Sequence, residues 1–242
     1  MKDRLGELQP EMLERMMVGE PFRSRKNHVF RIRWEGALKV AKVYAPERIH
    51  LAELEFGILS RCAEEEVPAP HPIALGPGAI IMDYVEAENL SDEFDRLLTE
   101  SQASKGKEIH DLVTDGVAAW LAKFHKRMGG CTTRGDSVLR NFLISGGTIC
   151  GLDFEESSAR DPLDDVAEVA ANMLGMSPAF TPERFALVDV LAERYWHHSG
   201  TDRSAELPST IADALDRYAQ FRSDGKAMRV WAQKLRVDGL PR

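Results

Sequence analysis

Two adjacent glycines, Gly146-Gly147, lie between two short apolar runs and constrain this chain more than any other feature. The first run, Phe142–Ile144, reaches the Ser145-Gly146-Gly147 turn, and the second, Thr148–Leu152, ends on Asp153. Glycine tolerates positive φ at both central positions of a tight turn, so the stretch is expected to fold as a β-hairpin. Folding it back is expected to bring Asn141, just before the first strand, near Asp153, at the end of the second. An amide oxygen and a carboxylate are hard donors, a pair that suits Mg²⁺ carrying substrate phosphates. Asp136 lies one loop away, where it would orient or deprotonate a hydroxyl nucleophile, as phosphoryl transfer requires. Taken singly, Asp136 and Asn141 also read as ordinary turn residues, and Asp153 as a strand-end cap.

The chain has 242 residues, 43% of them hydrophobic and 29% charged, which describes an ordinary globular protein of one domain or two lobes. Its net charge of −8 argues against general nucleic-acid or anionic-membrane binding and leans towards cationic or neutral small partners. No apolar run is long enough to span a bilayer, and the start, MKDRLGELQPEML, lacks the apolar core of a signal peptide. Cys62, Cys131 and Cys150 lack zinc spacing, so a reducing, cytoplasmic setting is expected.

Upstream, residues 6–18 carry Leu8, Met12, Leu13 and Met16 at helical spacing. Strands are expected over Pro21–Arg25 and His28–Trp34, the second turning at Glu35-Gly36 into Ala37–Tyr44. Alternation there puts Leu38, Val40, Lys42 and Tyr44 on one face and Lys39 on the other. A lysine on so apolar a face would be poorly solvated unless paired. The next helical pattern offers a partner, because Glu55 falls inside the stripe Leu51, Leu54, Ile58, Leu59 and Cys62, while Glu53 lies off it. A snorkelling lysine and a rim glutamate are the plainer alternative. Val67–Ile73, with its prolines, is expected as a loop, and Ala79–Tyr84 as a buried strand leading into Val85. Helices are expected over Leu90–Glu100 with Ser91 as N-cap, Gly106–Met128, a segment after Asp165, and about Pro182–His198, Pro208–Arg222 and Lys226–Val237. His197-His198 reads as an exposed helix end rather than a metal pair, and Trp196, Tyr218 and Trp231 as helix-packing aromatics, with a substrate-wall role for one of them as the alternative.

The string Asp136…Asn141 followed by Asp153-Phe154-Glu155 resembles the catalytic and metal-binding loops of the protein-kinase-like superfamily. It is similar to the aminoglycoside phosphotransferase and choline kinase branch, where H-G-D and I-D-F-E-type strings are usual. Glu55, Leu59 and Val67-Pro68 fit the same pattern. Arg134 replaces the family's histidine, and Glu155 stands where protein kinases carry the glycine of D-F-G. No G-x-G-x-x-G occurs; the corresponding string is Phe22–Asn27, where backbone N–H groups with Ser24, Lys26 or Asn27 would meet phosphate. Arg134-Gly135-Asp136 also spells the integrin-binding tripeptide, read here as a chance match.

The resemblance implies an α+β, two-lobed protein-kinase-like fold. A small antiparallel-sheet N-lobe with one main helix would span residues 1–85, and a mainly helical C-lobe would span 86–242. It implies ATP and Mg²⁺ as cofactors. Ser24, Lys42, Glu55, Met82, Asp83 and Val85 would bind the nucleotide, with Lys42 on the α- and β-phosphates in a position set by Glu55. Met82 would back the adenine pocket, and the backbones of Asp83 and Val85 would bond its edge. Asn141 and Asp153 would hold the metal, and Asp136 would serve as catalytic acceptor of the hydroxyl proton. His125 is assigned a structural role bonding the catalytic-loop backbone, and Asp165, after Asp161-Pro162, a similar one, with a helix-start acid as its plain equivalent. Val138 stands where protein kinases place a lysine, which with D-F-E favours a hydroxyl-bearing small-molecule acceptor, without nucleic acid or membrane. A small RIO-like serine/threonine protein kinase is the alternative, and a nucleotide-binding regulatory module without transfer a third reading.

Overall fold

The computed structural model describes residues 8–24, 26–99 and 111–241. They divide into two compact units. The first runs up to Ala87 and adds Gly151–Ser157; the second takes Glu88–Cys150 and the chain from Ser158 onward.

The first unit contains α1 (Pro10–Arg15), β1 (Asn27–Trp34), β2 (Ala37–Tyr44), α2 (His50–Glu64), β3 (Pro72–Gly76) and β4 (Ala79–Asp83). The strands form one antiparallel sheet in the order β1-β2-β4-β3. Glu35 and Gly36 both take positive φ, as a tight hairpin between twisted strands requires. One sheet face buries Phe30, Ile32, Ala41, Val43 and Ile81 with Leu8 and Leu13. The opposite face carries Val40, Lys42 and Tyr44, and Lys42 sits on an inner strand between Val29 and Ile80. The buried side of α2 is Ala52, Glu55, Leu59 and Cys62, whereas Leu54, expected in its stripe, is 39% exposed. Leu54 lies one position from Glu55, about 100° around the helix, so the seam that holds the glutamate turns the leucine outward.

Pro21–Ser24 form no strand, although Phe22 N–H bonds Val29 O at 2.8 Å; Arg25 lies outside the described residues. β3 begins at Pro72, inside the expected loop, in the first-residue, edge-strand position where proline sacrifices no ladder bond. α1 is shorter than the expected helix, whose first two residues are not described.

The second unit contains β5 (Glu88–Asn89), α3 (Leu90–Thr99), a π turn at Leu112–Gly116 running into α4 (Val117–Arg127), β6 (Thr132–Thr133), β7 (Phe142–Ser145), β8 (Thr148–Gly151) and β9 (Ser158–Ala159). The helices α5 (Leu163–Gly175), α6 (Pro182–Ser199), α7 (Leu207–Tyr218) and α8 (Gly225–Asp238) follow. Gly146 and Gly147 have φ of 56° and 79°, so the β7–β8 connection is the two-residue turn that their sequence demands. α3 starts one residue before Ser91, and the Asn89 side chain, not Ser91, caps it by accepting Ser91 N–H at 2.9 Å. Glu100 and residues 106–110, expected in helices, lie outside the described residues. α5 is buried along nearly its whole length and packs on α6 and α7, while α8 packs on α7. Trp231 lies against Phe180 and Phe185, and His197 and His198 are exposed. Among the described residues no helix is long and apolar enough to cross a membrane.

Candidate active site

In the first unit the inward lysine has found its partner. Lys42 Nζ lies 2.6 Å from Glu55 Oε2 and 2.6 Å from Asp153 Oδ1, with Glu155 Oε2 at 3.2 Å. Glu55 is itself fixed, accepting Phe154 N–H at 3.1 Å and a hydrogen bond from the Tyr44 hydroxyl. Burial opposes a charge on Lys42, but the surrounding carboxylates outweigh it and hold the ammonium proton more tightly than usual. Burial drives the Glu55 carboxyl upward; Lys42 opposes that and Asp153 adds to it. Burial and Glu55 together keep the Tyr44 hydroxyl protonated, so it stays a donor.

Glu155 occupies the place of a kinase glycine yet is almost fully buried. Arg48, from the 3₁₀ turn after β2, donates to it at 2.7 Å, and Asn27 Nδ2 donates as well. Lys26 pairs with Glu156. Oxygens of Glu55, Asp153 and Glu155 all lie within 4.8 Å of one another. With Lys42 and Arg48 opposing three carboxylates when all are ionised, the set has room for added positive charge of the hard, oxygen-seeking kind. Ser24 Oγ accepts Asn27 N–H at 3.3 Å, stiffening the turn before β1. Met82 is buried on β4, and Asp83 pairs with Lys39 at 2.5 Å. Asp83 N–H is already donated to His71 O at 2.9 Å, so only its carbonyl is left for an external donor.

In the second unit Gly135 and Asp136 both take the left-handed conformation, with φ of 66° and 39°. For the aspartate this is strained and must be held by its surroundings. One helix supplies most of the grip. Asp165 accepts Arg134 N–H at 2.7 Å, Gly135 N–H at 3.3 Å and the Ser137 hydroxyl at 2.8 Å. Glu168 accepts Ser137 N–H at 3.0 Å, and Asn172 Oδ1 accepts Leu139 N–H at 2.9 Å. Residues 165, 168 and 172 share one face of α5, so the helix reads the loop amide by amide. His125, expected to bond the loop backbone, acts one step back: its Nε2 bonds Asp165 Oδ2 at 2.9 Å and its Nδ1 the Tyr195 hydroxyl at 2.8 Å.

Arg134 is fully buried, packs against Trp120 and Phe142, and donates to Asp136 O and Asn141 O. Its burial removes the arginine of the tripeptide from view of any partner. Asn141 turns its Nδ2 to Asp136, at 2.9 Å from the carbonyl and 3.2 Å from Oδ2. That leaves the amide oxygen, the atom a cation would take. Arg140 donates to the same Oδ2 at 3.0 Å. Among the described residues Asp136 Oδ1 has no hydrogen-bond partner.

Ser24, Lys42, Glu55, Met82, Asp83, Val85 and Asp153 therefore belong to the first unit, and Asp136 and Asn141 to the second. Glu168 and Asn172 were missed by sequence reasoning, although their spacing from Asp165 was legible. Arg48 and Arg140 carried no local signal, and Glu155, legible in the D-F-E string, was given no partner there.

Comparison with known proteins bears on the fold. A model of the RIO domain family matches residues 33–125. No curated protein sequence matches the chain. A Ralstonia eutropha protein provisionally assigned to the aminoglycoside phosphotransferases superposes with a TM-score of 0.64 at 14% identity, covering 94% of this chain and 89% of that one. WaaP in complex with acyl carrier protein gives 0.60 at 15% identity, covering 97% and 95%. Amicoumacin kinase in complex with AMP-PNP, Ca²⁺ and Ami gives 0.59 at 12%, covering 97% and 91%. The chain shares the fold of these solved structures, which is protein-kinase-like. The likeness extends over nearly the whole chain, and the fold is α+β in two compact units as expected.

Proposed function

We propose that this chain is a phosphotransferase that moves the γ-phosphoryl group of ATP to a hydroxyl of a small molecule. The observation that carries the reading is the buried Lys42 ammonium, held between Glu55 and Asp153 at 2.6 Å each. Nothing in the stability of a sheet calls for a buried cation there, and an isolated ion pair of this kind is costly to bury. A fixed cation aimed at phosphate oxygens explains it.

In this reading Lys42 takes the α- and β-phosphates, and Glu55, locked by Tyr44 and the Phe154 amide, sets its position. Ser24 and the amides around it meet phosphate; Met82 backs the adenine, with the Asp83 carbonyl and Val85 on its edge. Asn141 and Asp153 would hold Mg²⁺, which neutralises phosphate charge when bound. Asp136 orients the acceptor hydroxyl and takes its proton on Oδ1. The acceptor oxygen forms its bond to phosphorus while the bond to ADP breaks, the electron pair leaving with ADP. Small-molecule acceptors fit the likeness to an amicoumacin kinase and to an aminoglycoside phosphotransferase type. A RIO-like protein kinase is the second reading, favoured by the family match over residues 33–125. Cys62 and Cys150 are buried and Cys131 exposed, with no disulfide among the described residues, which suits a reducing cytoplasm, and burial pushes the Cys150 thiol up to about 11.

Incubating the purified protein with γ-labelled ATP and Mg²⁺ against metabolite pools and protein extracts tests this. Label is expected in a small molecule, and Asp136→Asn should lower turnover by roughly 100- to 10,000-fold while ATP still binds. Label only in protein would favour the second reading; wild-type turnover by Asp136→Asn would remove the assignment.

A further inference from the structure

The catalytic loop carries a cation that the motif does not ask for. Arg140 lies four residues after Asp136 and donates to its Oδ2 at 3.0 Å, with the arginine side chain 66% exposed and the aspartate 25%. An exposed pair of this kind contributes little to folding, so stability does not explain it. Three features give it another purpose. First, Oδ2 is already occupied by Asn141 at 3.2 Å, so Arg140 adds to an oxygen that is anchored and leaves Oδ1 open. Second, only one N–H of the guanidinium has a partner among the described residues; the rest of its planar donor edge stands open beside the open carboxylate oxygen. Third, the other arginine of the loop, Arg134, is buried and committed to backbone carbonyls, so it is not available to a substrate. Val138, where protein kinases carry a lysine, offers no charge.

We propose that Arg140 is a further catalytic residue, whose free N–H groups contact the phosphoryl group in transit as Asp136 Oδ1 receives the acceptor proton. The inference rests on the phosphotransferase reading. Charge spreads over the equatorial oxygens of the phosphoryl group as its bond to ADP loosens and the acceptor bond forms. A guanidinium tethered to the proton acceptor meets those oxygens without reorganising, and its planar fork suits them better than an ammonium would. The contact strengthens as transfer proceeds, so it lowers the barrier rather than tightening ATP in the ground state.

The test compares two nucleotide states, without needing the natural acceptor. Affinities of wild type, Arg140→Ala and Arg140→Lys are measured for Mg²⁺·AMP-PNP and for Mg²⁺·ADP with aluminium fluoride, a mimic of the phosphoryl group in flight. Arg140→Ala should weaken the aluminium fluoride complex roughly 100-fold and AMP-PNP by less than about threefold, with Arg140→Lys between the two. Equal affinities in Arg140→Ala and wild type for the mimic would overturn the inference and leave the function standing. An equal loss for both ligands would assign Arg140 to structure and also overturn it. A wild type that binds AMP-PNP but gains nothing from aluminium fluoride would remove the phosphotransferase reading itself, and this inference with it.

Discussion

Asp165 is a fully buried carboxylate, and burial alone would favour its protonated form. The hydrogen bond and charge of His125, then the Arg134 amide and guanidinium, outweigh burial and hold its pKa below the ordinary aspartate value. A carboxyl whose folded pKa is depressed contributes stability above its unfolded pKa, and loses it as pH falls through the folded one. Asp165→Asn keeps the shape but removes the charge that collects Arg134 N–H, Gly135 N–H and the Ser137 hydroxyl. At pH 7 it should cost roughly 3–5 kcal/mol, the penalty for breaking a buried charged network. As pH falls below about 4, where the unfolded chain's carboxyl takes up a proton that the folded one resists, the gap should narrow. Urea unfolding of both proteins at neutral pH and at the lowest pH where the wild type folds measures it; a gap independent of pH would show that the charge carries no stability. This residue was half legible. D-P followed by an acid at a helix start gave its backbone role, but its bond to His125 joins residues 40 apart, which no local pattern reports.

At the scale of elements, α5 holds the strained loop through a ladder of acceptors at 165, 168 and 172. Glu168 is the middle rung, and burial pushes its carboxyl upward even though Ser137 N–H and Arg217 counter it. Because the rung bonds the amide next to Asp136, its loss acts on loop geometry before it acts on folding. Glu168→Gln keeps an acceptor and should be mild. Glu168→Ala leaves the Ser137 amide unpaired, a cost of about 1–3 kcal/mol for a buried donor. Under the proposed function it should lower kcat with little change in the KM for ATP, and Asn172→Ala should do the same through Leu139. Steady-state kinetics decide it: a rise in KM for ATP at constant kcat would mean that the ladder does not serve Asp136. The ladder also marks how far sequence reaches. The β7–β8 hairpin was readable because two glycines demand one turn, and the buried Lys42 because alternation left it on an apolar face. Arg140 and the contacts of Glu155 escaped because exposed arginines and acids after a strand are common, and only the pairing of neighbouring elements gives them meaning. The α2 stripe was misdrawn at Leu54 because counting apolar residues ignores which face a charged neighbour must occupy.

Over the whole molecule, the division into units does not follow chain order. The segment Gly151–Ser157 belongs with the sheet that precedes it by more than sixty residues, and it delivers Asp153, Phe154 and Glu155 to that sheet. Phe154 is fully buried, its amide bonds Glu55, and Gly151 N–H bonds Pro68 O at 3.0 Å. A fragment ending at Ala87 would keep every strand of the first unit yet lose this return. Removing a buried phenylalanine alone costs about 3–5 kcal/mol, comparable with the whole stability of a small domain. Lys42 would also keep Glu55 but lose two of its three carboxylates. The fragment 1–87 is therefore expected to show no cooperative thermal transition by circular dichroism, and adding a synthetic peptide of residues 148–158 should restore part of it. A sharp, peptide-independent transition in the fragment would show that the sheet and α2 are self-sufficient. The returning segment would then be a carrier of acidic groups only, with no part in building the unit that receives them.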